Sequence, residues 1–83
     1  MNNSIVWTIA GSDSSGCAGI QADMKTFNSL GVHGCTVITA VTAQSQQQLR
    51  DIQFIDIEPQ LSVLKEDLSP QAVKIGMLGN IPA

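Results

Sequence analysis

TIAGSDSSGCAGIQAD, residues Thr8 to Asp23, changes character twice. An apolar, β-branched run stops at Gly11. From Ser12 to Gly19 every residue but Asp13 is small. An amphipathic pattern then begins, with Ile20, Met24, Phe27 and Leu30 on one stripe of a 3.6-residue period. The order is a buried strand, a tight small-residue loop and a helix. The strand begins upstream, in SIVWTIA (Ser4 to Ala10). Ser14 or Ser15 suits the helix N-cap, and Gly31 suits the position after its last turn.

The rest of the chain continues this unit. TVITAVTA (Thr36 to Ala43) and AVKIGML (Ala72 to Leu78) read as further buried strands, and IQFIDI (Ile52 to Ile57) as one with a wetter face. Between Ala43 and Asp51 lies a glutamine-rich polar loop, AQSQQQLRD. Pro59 to Leu68 reads as a second helix, with Pro59 in its first turn, Leu61, Leu64 and Leu68 as its stripe, and Ser69-Pro70 as its stop. Strands apolar along their length, alternating with helices as βαβ(β)αβ, indicate an α/β fold: a parallel sheet with helices on both faces. Two helices are few for such a sheet, and Gly79-Asn80 reads as the cap of a third. The expectation is that residues 1–83 are the N-terminal portion of a larger α/β domain. The alternative is a small domain that covers its sheet by self-association, so a homo-oligomer is expected.

Composition narrows the partners. Net charge is −3 and there are four Lys plus Arg, against nucleic acid and anionic membranes, which attract clustered positive charge. Charged residues are 13% of the chain, about half the usual share, so much of this surface is expected to be covered. No apolar run approaches the ~20 residues of a membrane span. The N-terminus lacks the basic segment of a secretory signal. A cytoplasmic chain with reduced thiols at Cys17 and Cys35 is expected.

Ligands of open α/β sheets bind outside the carboxyl ends of the strands. Those ends carry Gly11-Ser12-Asp13, Thr42-Ala43-Gln44 and Gly76-Met77. Gly11 lets backbone approach a ligand. Gln44 presents an amide donor beside a carbonyl acceptor, a match for a heteroaromatic ring nitrogen next to an exocyclic amine. Met77 suits a ring face. Each has a plainer reading: a turn glycine, a solvated glutamine, a core methionine. Asp23 borders the buried stripe and there needs a partner; its plainer reading is an exposed helix carboxylate. The loop is not a Walker A motif, because Cys17-Ala18 stand where Lys and Ser/Thr belong, and its glycines miss the GxGxxG spacing. A weaker anion preference of the helix N-terminus survives. Cys17, Cys35 and His33 fit no zinc spacing and read as two buried thiols and a loop histidine.

TIAGSDSSGCAGIQADMKTFNSLGVHGCTVITAVTAQ resembles the opening of the hydroxymethylpyrimidine/phosphomethylpyrimidine kinases of thiamine biosynthesis, in the ribokinase-like superfamily. AVKIGML resembles a further segment of that family. The resemblance implies phosphoryl transfer from ATP, with Mg2+, to a small-molecule pyrimidine alcohol and then to its monophosphate. It implies substrate-binding roles for Gly11, Asp23, Gln44 and Met77. It implies no catalytic residue and no metal ligand in this segment, since the family's nucleotide site and its Gly-Thr-Gly-Cys catalytic loop lie downstream. Cys17 departs from the family pattern, replacing the second glycine of a Gly-Gly pair; crowding, or a backbone angle that glycine adopts more easily, is expected there. Two other functions fit the same residues: a non-catalytic pyrimidine-binding or interaction module, and a pyridoxal kinase of the same superfamily.

Overall fold

The computed structural model describes residues 4–45 and 47–76. The elements are β1 (Ile5–Asp13), α1 (Gly19–Ser29), β2 (His33–Gln44), β3 (Leu49–Phe54), α2 (Glu58–Asp67) and β4 (Ala72–Ile75). They form one four-stranded sheet in the order β3-β2-β1-β4. β1 pairs in parallel with both β2 and β4.

β3 corrects the all-parallel expectation, because it pairs antiparallel with β2. The reason is length. Only residues 45–48 separate the two strands, and a parallel return needs a crossover of about a dozen residues. The polar segment expected to be a loop therefore supplies the end of β2 and the start of β3.

The helices lie on opposite faces, as expected. Thr8 donates to Asp23 of α1, and its neighbour Trp7 donates from the indole N–H to the carbonyl of Leu68, at the end of α2. Adjacent strand residues point to opposite faces. The core includes Trp7, Ala10, Cys35, Val37 and Ala40, all on β1 and β2. In β2 the register gains one residue opposite Gly11, since Ala10 pairs with Ile38 but Ser12 with Val41. Burial alternates through Cys35, Val37 and Thr39, then shifts to Ala40 and Thr42. The extra residue thus turns Thr42 inward, where its hydroxyl donates to the Ser12 carbonyl at 3.0 Å.

Three sequence expectations need correction. Neither Ser14 nor Ser15 caps α1: its N-cap is Ala18, which has no capping side chain of its own. The Ala18 N–H is bonded at 2.9 Å by the carboxylate of Asp13, a residue already committed to β1. Leu30 is exposed, because α1 ends at Ser29 and Gly31 turns the chain away at φ +73°. Cys17 is exposed, while Cys35 is buried. Met24 and Phe27 pack on Gly34 of β2, where an added Cβ would come within 2.7 Å of both.

Gly19 sets how closely α1 approaches the sheet. It sits at φ +64°, and a Cβ there would collide with the Gly11 carbonyl. Gly31 shares the left-handed backbone but faces open space. Gly19→Ala should destabilise the protein by more than about 1 kcal/mol, lowering its melting temperature by at least about 4 °C. Gly31→Ala should cost less, since only the backbone term applies. Equal losses in the two melts would contradict the close approach at Gly19.

Candidate functional site

The order β3-β2-β1-β4 makes β1 the point where the chain reverses direction across the sheet. The first crossover, through α1, runs to one side and the second, through α2, returns to the other. A crevice opens at the carboxyl ends of the strands there. It is a cleft of about 260 Å³, lined in part by Gly11 and Asp13 of β1, Gln44 of β2, Lys74 of β4 and Gly76. Three strand ends that are far apart in sequence therefore converge, as the strand pattern predicts. Gly76 is pinned to the end of β1 by donating to the Ile9 carbonyl at 2.8 Å. Met77 follows Gly76 and lies outside the described residues.

The loop after β1 organises Gln44. The Ser14 hydroxyl donates to the Gln44 carbonyl at 2.7 Å and accepts the Gln44 N–H at 2.8 Å, so one side chain clamps both backbone groups. The Gln44 side-chain amide donates to the Asp13 carboxylate. An ionised carboxylate only accepts, so this contact fixes which end of the carboxamide faces Asp13. One amide N–H and the carbonyl oxygen remain for a ligand. A wider, more open groove of about 640 Å³ runs along the β2–β3 hairpin, past Arg50 and Asp51, and shares Gln44 with the cleft. The cleft is the better candidate, because the strand ends and their glycines converge only there.

Asp13 is the centre of this loop. Its carboxylate accepts from the Ser15 N–H at 2.9 Å, the Ser15 hydroxyl at 2.8 Å and the Ala18 N–H at 2.9 Å. Burial pushes its pKa up, but the bonds from Ser15, Gln44 and Ala18 outweigh it and hold the acid below the usual carboxylate value. Gln21 closes the loop from the helix side, accepting from the Asp13 N–H and donating to the Ser12 hydroxyl, both at 2.8 Å. This carboxylate lies at the N-terminus of α1, where an anion would bind. A phosphate would meet a negative charge there, so the anion preference suggested by the loop is cancelled. The left-handed angles of the loop fall on Gly16 and Gly19, not on Cys17, so a side chain at position 17 is accommodated.

Asp23 is buried, 8% exposed, and does not line the cleft directly. Its carboxylate accepts from the Thr8 hydroxyl at 2.5 Å and pairs with the Lys74 ammonium at 2.6 Å. Burial raises its pKa, but Lys74 and Thr8 reverse the shift and hold it below the ordinary value. Lys74, which does line the cleft, is the residue that pattern reading missed. It lies fifty-one positions from its partner, and within β4 a lysine reads as the solvated residue of an edge strand. The Cys35 thiol is pushed up by burial.

Residues 13–83 match the family described as Phosphomethylpyrimidine kinase. The chain belongs to the phosphomethylpyrimidine kinase family. Among this family, the hydroxymethylpyrimidine/phosphomethylpyrimidine kinase of Haemophilus influenzae is 55% identical over 78 residues, covering 90% of this chain and 29% of the relative. The crystal structure of phosphomethylpyrimidine kinase from Clostridium difficile 630 superposes with a TM-score of 0.86 at 49% identity, over 90% of this chain and 34% of that one. The pyridoxal kinase of Staphylococcus aureus in complex with AMP-PCP and pyridoxal gives 0.79 at 36% identity, over 96% and 31%. The chain thus spans about 29% of the length of the curated relatives it matches. The fold is the ribokinase-like α/β arrangement of these kinases, as the resemblance implies. Among the described residues no helix is long and apolar enough to cross a membrane.

The lowered carboxyl groups have a thermodynamic consequence. Asp13 and Asp23 bind protons more weakly folded than unfolded. Their contribution is therefore complete above the unfolded value and is lost as pH falls through the folded one. Urea unfolding should show stability dropping below about pH 4, with a shallower drop in Asp23→Asn, which starts less stable at pH 7. A wild-type stability that rises on acidification through this range would contradict the pairing.

Proposed function

We propose that residues 1–83 form the N-terminal, substrate-side portion of a ribokinase-like kinase domain. The whole enzyme transfers a phosphoryl group from ATP to 4-amino-5-hydroxymethyl-2-methylpyrimidine and then to its monophosphate, in thiamine biosynthesis. The observation that carries this reading is the clamped Gln44. Its backbone is held by Ser14 and its amide by Asp13, at the edge of a cleft sized for a small ring. The remaining amide N–H and carbonyl oxygen suit a pyrimidine nitrogen and its neighbouring amine. Gly11 and Gly76 bring backbone close to the ring. Asp23 acts one step back, by holding Lys74 at the cleft wall. The assignment of Met77 to the ring face rests on sequence alone.

ATP and Mg2+ belong to this reading, but the described residues do not fit them. The helix N-terminus that would cradle phosphate is taken by Asp13, no Walker lysine is present, and no group of three His, Cys, Asp or Glu side chains is placed to hold a metal among the described residues. We therefore assign the nucleotide, the metal and the catalytic groups to other residues. Exposed Val73 and Ile75 on β4, and Val41 and Phe54 beside the hairpin, support self-association. Cys17 and Cys35, not joined in a disulfide, suit the cytoplasm.

A second reading, pyridoxal kinase, draws on the structural likeness to the Staphylococcus aureus enzyme. The carboxamide of Gln44 favours the aminopyrimidine, which offers a donor and an acceptor side by side. Calorimetric titration should show the wild-type protein binding hydroxymethylpyrimidine in preference to pyridoxal. Gln44→Ala should weaken the pyrimidine by about tenfold or more, for the loss of two hydrogen bonds. Unchanged affinity in Gln44→Ala, or a wild-type preference for pyridoxal, would overturn the assignment.

A further inference from the structure

Among the described residues no cation pairs with Asp13. It is buried, 4% exposed, and neutral donors hold its carboxylate: the Ser15 N–H and hydroxyl, the Ala18 N–H and the Gln44 side-chain amide. The sheet places Gln44 for this contact. Asp13 pairs with Thr42 across the β1–β2 ladder, and Gln44 lies two residues further along β2, on the same face. A carboxamide has two ends of similar shape and opposite chemistry, so a free one turns over and presents donor and acceptor in either order. Gln44 lacks that freedom. Turned over, it would set its carbonyl oxygen against an ionised oxygen, two acceptors with no proton between them.

The order matters for the ligand. An aminopyrimidine offers a donor, its exocyclic amine, beside an acceptor, the ring nitrogen. Exchanging the amine for oxygen reverses both, giving a carbonyl acceptor beside a ring N–H. A glutamine free to turn reads either ring. A glutamine fixed in one order reads one of them in a given pose and opposes the other at both contacts. The oxo ring regains its bonds only by turning over, and that swings the hydroxymethyl group, next to the amine position, to the other side of the cleft. The cleft has unlike sides, with Ala18 and Gly19 of the α1 approach on one and Gly76 after β4 on the other, so the two poses are not equivalent.

We propose that Asp13 is a positioning residue that sets specificity: by locking the Gln44 carboxamide it makes the site accept 4-aminopyrimidines and reject their 4-oxo, deaminated counterparts. This rests on the pyrimidine reading of Gln44 above. The plainer role of Asp13 is to hold the loop together through Ser15 and Ala18. The two roles differ in what they predict for a pair of ligands. A loosened loop weakens both alike, whereas a lost lock changes the ratio between them.

The test is calorimetric titration of the protein with 4-amino-5-hydroxymethyl-2-methylpyrimidine and, separately, with its 4-oxo analogue, for wild type and Asp13→Asn. Wild type should favour the amino ring by about thirtyfold or more, the scale of two hydrogen bonds replaced by opposed groups. In Asp13→Asn the side chain offers a donor as well as an acceptor, so Gln44 turns freely and the preference should shrink by about tenfold or more. A variant that keeps the wild-type ratio, whatever its absolute affinities, would overturn the lock while leaving the pyrimidine site intact. So would a wild type that binds the two rings within about threefold of each other, or favours the oxo ring. Failure of wild type to bind the amino ring would overturn both readings. A second measurement needs no variant and decides the matter where Asp13→Asn fails to fold. In ligand-free wild type, one Gln44 side-chain amide proton should show a nuclear Overhauser contact to the Ser15 or Ala18 N–H, across the shared carboxylate; its absence would also overturn the proposal.

Discussion

The approach of α1 to the end of β1 is the constraint on which the site depends. Gly19 lies against the Gly11 carbonyl, too close for any Cβ. That contact brings Ala18 within reach of Asp13 and Gln21 within reach of Ser12 and the Asp13 N–H. Asp13 can then bind Ser15, Ala18 and Gln44 at once, because its acceptor lone pairs point at donors the loop has gathered. With a longer approach the loop would lose its centre, and Ser14 would no longer sit over the end of β2. The small residues between Ser12 and Gly19 serve this compaction. They do not build a phosphate site, because the helix terminus they expose is already neutralised by a carboxylate.

A second chain of contacts runs through the sheet. Thr8, Asp23 and Lys74 connect β1, α1 and β4, the last of them remote in sequence from the other two. Lys74 lies on an edge strand whose apolar residues Val73 and Ile75 are exposed. The ion pair fixes β4 through a charged group on one face, while the backbone ladder with β1 fixes its register.

Much of this was legible in the sequence where its physics is local. The period of α1, the apolar strands and the glycines at strand ends follow from neighbouring residues, and the convergence of Gly11, Gln44 and Gly76 follows from the βαβ pattern. The antiparallel β3 was legible too, had the length of the connection been weighed above the polarity of its glutamines. What escaped pattern reading depends on tertiary placement. Asp13 bonds the N-cap residue of a helix that starts six residues later, and serine, the expected cap, is spent on Gln44 instead. Lys74 pairs with a carboxylate across the sheet, and neither period nor spacing encodes that. The exposure of Leu30 reflects the same limit, since its stripe continues past the point where Gly31 turns the chain.

The central claim is that the loop after β1 exists to hold Gln44 for a ligand, and Ser14 tests it most directly. Ser14 is exposed, so water can replace its hydrogen bonds in Ser14→Ala and the melting temperature should move by less than about 3 °C. The affinity for hydroxymethylpyrimidine, measured by calorimetry on the same sample, should nevertheless fall by about threefold or more as the Gln44 backbone is released. Wild-type affinity in Ser14→Ala would contradict the account.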